Sequence, residues 1–265
     1  MSAPDDRPQA DRVEGAPHPR ETEALFGQSQ AEQGFLTAYS SNRLHHGWLL
    51  TGPQGLGKAT LAWRIARFLL ATPMIESDGF FGAAPPPTSL SIDPEHPVAH
   101  RIRALSDPGA FLLRRSWDDK AKRLRSVITV EEVRKLKGFF ALSAADGGRR
   151  VVIVDSADEM NPNAANAILK ILEEPPANTT LLLVSHQPSR LLPTIRSRCR
   201  ELRLSPLGSD DMRAALVQAG ADLDPDRAAA LAELSAGSVG EAIRLLNHDG
   251  LALYADLVAL TATLP

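Results

Sequence analysis

The chain is poor in cysteine: Cys199 stands alone among 265 residues. A single thiol forms no internal disulfide and no multi-cysteine zinc site, which sets aside the stapled secreted scaffolds and the zinc ribbons together. Aromatic residues are scarce at 5%, and neither sign of charge is in large surplus, since 29 Lys and Arg face 32 Asp and Glu for a net charge of −3. Without a global basic field, any contact with DNA has to come from a local patch or from partner proteins. No long apolar run suggests a membrane span, and the first residues, MSAPDDRPQADRVEGAPHPR, contain no apolar signal core. A soluble, cytoplasmic protein without a membrane partner is expected. Residues 1–20, polar and rich in proline, read as a disordered arm.

What is present suffices for one sizeable core, with 43% of the residues hydrophobic. Leu25, Phe26, Phe35, Leu36 and Tyr39 recur at helical spacing between residues 21 and 41, interrupted at Gly27. A short apolar run over 46–51 predicts a buried strand, and 59–71 predicts a helix. Residues 72–107 hold Pro85-Pro86-Pro87 and the turn signals Asp93-Pro94 and His96-Pro97, and read as an irregular loop. Strands are expected at 110–115, 151–154 and 180–185, and helices at 129–142 and 163–174, the second stopped by Pro175-Pro176. Unbroken β-branched and leucine runs alternating with helices indicate a parallel sheet covered on both faces. From Pro206 only helical patterns remain, at 210–218, 225–234 (capped by Asp224) and 240–246. The expected architecture is an α/β domain over 21–205 followed by a small all-helical lid over 206–265.

Gly52-Pro53-Gln54-Gly55-Leu56-Gly57-Lys58-Ala59 lies between the first strand and its helix. It fits the phosphate-binding pattern G-x-x-x-x-G-K-[ST] everywhere but the last position. In such a loop the backbone N–H groups close around phosphate oxygens at a helix N-terminus, and the lysine reaches the β- and γ-phosphates. The eighth position should carry a hydroxyl for Mg²⁺; here it is Ala59, and Thr60 is turned away by a helical step of about 100°. ATP or ADP binding with weak or no Mg²⁺ stays open. The plain alternative is a glycine-rich turn without a ligand. Val151-Val152-Ile153-Val154-Asp155 has the form of a strand ending in a metal-binding aspartate. The glutamate that would orient an attacking water is replaced by Ser156, and Asp158 and Glu159 lie further along the turn.

Ala164–Pro176, with its Leu-Glu-Glu-Pro-Pro ending, the strand run 178–185, and Leu192–Cys199, with Ser197-Arg198-Cys199, together resemble the AAA+ core of the bacterial clamp-loader family over residues 26–246. The resemblance implies an AAA+ fold, a sensor-like role for Ser185, and an arginine, Arg198, that acts on ATP held by a neighbouring subunit. ATP-hydrolysing members carry a further arginine in a G-S-x-R segment; here that segment is Gly237-Ser238-Val239-Gly240. A decayed site of its own with the Ser-Arg-Cys arginine kept is the pattern of the family's stator subunit, a poor or inactive ATPase within a DNA polymerase holoenzyme. Implied partners are gamma/tau and delta subunits, the beta sliding clamp, and primer-template DNA through the assembled ring. The zinc module that family members carry after the loop helix is not expected, because 72–107 lacks cysteine. Nor is the family's C-terminal collar, the chain stopping at Pro265. A self-sufficient ATPase and a P-loop kinase remain as competing readings. The basic run from Arg114 to Arg125, broken by Asp118 and Asp119, reads as a solvated hairpin rather than a DNA contact. Glu173 and Glu174 read as a structural feature or a subunit contact, and Cys199 as a small apolar residue.

Overall fold

A computed structural model describes residues 8–41, 43–72, 85–142 and 148–262. Five strands form one sheet in the order β2-β5-β6-β1-β7: β2 (Ala110–Arg114), β5 (Arg150–Asp155), β6 (Thr179–Val184), β1 (Gly47–Thr51) and β7 (Arg200–Arg203). Every neighbouring pair is parallel. The three inner strands are buried along their whole length, as a sheet covered on both faces requires.

Side chains alternate across the sheet and sort into two cores. Trp48, Leu50, Val151, Ile153, Leu182 and Val184 join the core under α1 (Ser29–Ser40) and α2 (Lys58–Ala71). Leu49, Val152, Val154, Leu181 and Leu183 face the other side, against α4 (Val130–Leu142) and α5 (Pro162–Glu173). This period of two is what the pleat imposes on an all-apolar strand. α5 starts where Asn161 accepts a hydrogen bond from the Ala164 N–H at 2.8 Å, with Pro162 at its first position.

Three elements depart from expectation. The stretch read as irregular contains α3 (Pro97–Arg103), where His96 caps and Pro97 opens the helix. The edge strand β7 was not expected, because its residues are polar and only Leu202 is buried. Residues 8–20, expected as a loose arm, pack onto the body, whereas 1–7 lie outside the described residues. Asp11 bonds Arg114 and lies 3.3 Å from His18 Nε2, and both carboxylate and imidazole are buried. The Glu14 carbonyl accepts from Asn247. The basic run does form a hairpin, β3 (Trp117–Asp118) against β4 (Arg123–Leu124). A four-residue helix, α6 (Pro193–Arg196), leads into β7.

The lid consists of α7 (Ser209–Gln218), α8 (Pro225–Leu234) and α9 (Val239–Asn247), followed by α10 (Gly250–Ala262). Asp224 caps α8 by accepting from the Arg227 N–H at 2.9 Å. Two glutamine amides fasten the junction, and the second ties the lid to the body. Gln28 donates to the Ser205 carbonyl and accepts from its N–H, and Gln218 does the same to Ala24. Among the described residues no helix is long and apolar enough to cross a membrane.

Candidate nucleotide cradle and exposed arginine

Because the strands are parallel, their C-terminal ends share one edge, where ligands of open α/β sheets bind. Leu50 aligns with Val184, and Val184 with Asp155, so the loop 52–58, Asp155 and Ser185 converge there. Gly55 and Gly57 take φ angles of 82° and 89°, which the tight turn into α2 demands.

Internal contacts hold the loop in place. Lys58, 3% exposed, donates to the carbonyls of Gly52 at 2.7 Å and Pro53 at 2.5 Å. Burial pulls its pKa down to about 8, against the raising effect of Asp155 and Asp158. From above, the start of α9 sits on the loop: the Gly240 N–H donates to the Gly55 carbonyl at 3.0 Å and Ser238 Oγ to the Gln54 carbonyl at 2.8 Å. Gly240 is thus in main-chain contact with the loop.

The acidic strand end is equally engaged. Ser156 Oγ donates to Asp155 Oδ1 at 3.1 Å and lies 2.9 Å from His186 Nε2. A chain running from the His186 N–H through the Ser156 hydroxyl to Asp155 satisfies both contacts, with the tautomer assigned from that network. Burial and the nearby Lys58 push the His186 pKa down to about 4, so the ring is neutral at pH 7. Burial, and after it the charge of Asp11, raise Asp155 to about 7. Asp158 Oδ1 accepts from the backbone N–H of His186 at 3.0 Å, and Glu159 is paired with Arg115 at 2.7 Å. Neither carboxylate is free to stand in for the glutamate replaced by Ser156. Ser185 is fully buried, and its hydroxyl has no hydrogen-bond partner among the described residues.

This donor set does not fit a magnesium-bound nucleotide. The loop hydroxyl is an alanine methyl, the residue after Asp155 is Ser156, and Asp155 already accepts a hydrogen bond from Ser156. A pocket opens over the loop itself, lined by residues 54–60, Asp155, Ser156 and His186, with Leu25, Phe26 and Ile243 as its apolar wall. Sequence reasoning missed His186, whose place directly after Ser185 was the available signal. It also missed Asp11, for which no local signal exists: its partner Arg114 is 103 residues away.

Arg198 lies elsewhere. The Arg198 carbonyl touches Gly47, a Cβ there falling 3.0 Å from it, and Gly47 begins β1 while the loop follows its end. Five residues at about 3.3 Å each put roughly 16 Å between Arg198 and its own cradle. The guanidinium, about one third exposed, pairs with Glu173 at 3.0 Å and donates to the Thr194 carbonyl at 3.1 Å. Ser197 Oγ bonds the same carbonyl, and burial raises the Cys199 thiol to about 12, leaving it inert.

A phosphate-type loop after a central parallel strand, an aspartate-ended strand beside it and a helical lid closing over the loop place the chain among the AAA+ proteins. The fold agrees: the RuvB Holliday junction branch migration motor of Thermotoga maritima superposes with a TM-score of 0.51 at 16% identity, over 90% of this chain and 68% of that one. The chain belongs to the DNA polymerase III, delta subunit family, whose profile matches residues 27–208. It is 42% identical to the DNA polymerase III subunit delta' of Pseudomonas aeruginosa, over 58% of this chain and 41% of that protein. Identity to the Escherichia coli subunit delta' is 30%, over 81% and 58%. The DNA polymerase III subunit gamma of Buchnera aphidicola matches at 26%, over 87% and 58%. The chain therefore spans about half the length of these relatives.

Proposed function

We propose that this chain is a delta'-like stator of the DNA polymerase III clamp loader, lending Arg198 to ATP held by a neighbouring gamma/tau-like subunit and hydrolysing little or none itself. One observation carries the reading: the partly exposed Arg198 guanidinium sits at the end of the sheet opposite its own loop, roughly 16 Å away. An arginine side chain cannot bridge that separation, so Arg198 cannot serve a phosphate held in its own loop. There the guanidinium would stabilise charge developing on the γ-phosphate, an effect worth about 10³–10⁵ in rate where it has been measured. The partners are gamma/tau and delta subunits, and the assembled ring acts on the beta sliding clamp and primer-template DNA in the cytoplasm.

The test is reconstitution with gamma/tau, delta, clamp and primed DNA, comparing wild type with Arg198→Ala. Little ATPase from the isolated chain, and a large loss of complex ATPase and clamp loading in the variant, are expected. Robust hydrolysis by the isolated chain, abolished by Lys58→Ala, would sink the stator role in favour of a gamma/tau-like motor. Undiminished complex ATPase in Arg198→Ala would sink the arginine's role alone.

A further inference from the structure

Glu173 is the last residue of α5, and its carboxylate grips Arg198 Nη2 at 3.0 Å while the Thr194 carbonyl takes Nη1. We infer that Glu173 is a positioning residue for Arg198, aiming the guanidinium outward from a rigid helix end; this rests on the trans-acting reading above. Three observations support it. A carboxylate in the last turn of a helix opposes the helix dipole, so Glu173 is poorly placed to stabilise α5. An ion pair with both partners more than a third exposed adds little to folding, which leaves orientation as what the contact supplies. The helix end itself is firmly held: Leu172 is buried, and its carbonyl lies 2.9 Å from His46 Nε2.

The arrangement also leaves the guanidinium usable. Arginine has five N–H donors in a planar fork. The two contacts engage one N–H on each terminal nitrogen, and three N–H groups stay available to a phosphate. Glu173 and Thr194 thus hold the fork from behind without consuming it.

The experiment uses the reconstituted complex with primed DNA and measures ATPase kcat and KM, complex assembly, and thermal melting for Glu173→Ala, Glu173→Gln, Arg198→Ala and the Glu173→Ala/Arg198→Ala pair. Misplacing a reacting group by about 1 Å costs about 10²-fold. Glu173→Ala is therefore expected to lower kcat by about 10- to 100-fold, with KM, assembly and melting held. Glu173→Gln, which keeps an acceptor oxygen, should recover part of the loss, and the double variant should be no worse than Arg198→Ala. Wild-type kcat in Glu173→Ala alongside a large loss in Arg198→Ala overturns the positioning role while leaving the arginine's role intact. A kcat loss that comes with failed assembly or a lowered melting point overturns it in favour of a structural contact. No effect of Arg198→Ala removes both.

Discussion

Gly240→Ala probes how firmly the lid is seated on the loop. A Cβ at 240 would lie 2.9 Å from the Gly55 Cα, and because the obstructing atom is main chain, no rotamer change relieves the clash. α9 has to back off, weakening the Gly240 N–H to Gly55 and Ser238 to Gln54 hydrogen bonds. At about 0.5–1.5 kcal/mol each, their loss costs about 1–3 kcal/mol. The better helix propensity of alanine returns up to about 1 kcal/mol, which from the middle of that range leaves a net loss of about 1–2 kcal/mol. In a protein of this size 1 kcal/mol moves Tm by about 2–4 °C, so calorimetry should show a fall of about 2–8 °C. Amide exchange at the start of α9 should quicken by about 5- to 30-fold. Gly138→Ala in α4 is the control, because a Cβ there meets nothing within 4 Å; it should stabilise by about 0.5–1 kcal/mol. Wild-type melting and unchanged α9 exchange in Gly240→Ala would refute the docking argument.

Two further outcomes follow from the buried charges. Asp155 titrates near 7 when folded, against an ordinary value of 3.8, raised by burial and by Asp11 and Glu159 against the pull of Lys58. Between about pH 4 and 7 the folded protein keeps a proton that the unfolded chain has released, so the stabilising contribution is full below about pH 4. It is lost as pH rises towards 7, by up to about 1.4 kcal/mol per unit. Asp155→Asn cannot ionise and should gain on wild type in melting temperature between pH 4 and 8; a constant gap across that range counts against the assignment. Arg114→Ala leaves the buried Asp11 carboxylate without its arginine partner, which should release residues 8–20 and speed tryptic cleavage after Arg12, whose side chain is exposed but whose backbone is held in the folded segment. A digestion pattern identical to wild type would show that the segment is held by its apolar contacts instead.

The inner strands and the cradle were legible in the sequence because each is a local pattern. Unbroken apolar runs between helices specify buried parallel strands, and glycine spacing specifies a turn into a helix N-terminus. β7 was not legible, since an edge strand with one buried residue carries no apolar signal. His96-Pro97 was read as a turn when it opens a helix; a proline at the first helical position and one that breaks a chain look alike until the following residues are seen to pack. The reading of 8–20 as a loose arm rested on composition, which cannot register an aspartate that meets its arginine 103 residues away. At the site, Ala59, Ser156 and Gly240 marked the missing groups. Their surroundings are set by the fold: Lys58 turned onto its own loop, His186 behind Ser156, and the lid backbone against Gly55.

The parallel sheet gives the molecule a polarity, with the cradle at one pole and Arg198 at the other. Copies stacked head to tail would set each Arg198 facing a loop whose lysine is already committed and whose hydroxyl position is an alanine, so a ring of this chain alone would join every arginine to a site unsuited to a metal-bound phosphate. On the proposed reading the chain would be a one-sided connector, completing a neighbour's site at one face and offering none at the other, and its place would be at the end of a row.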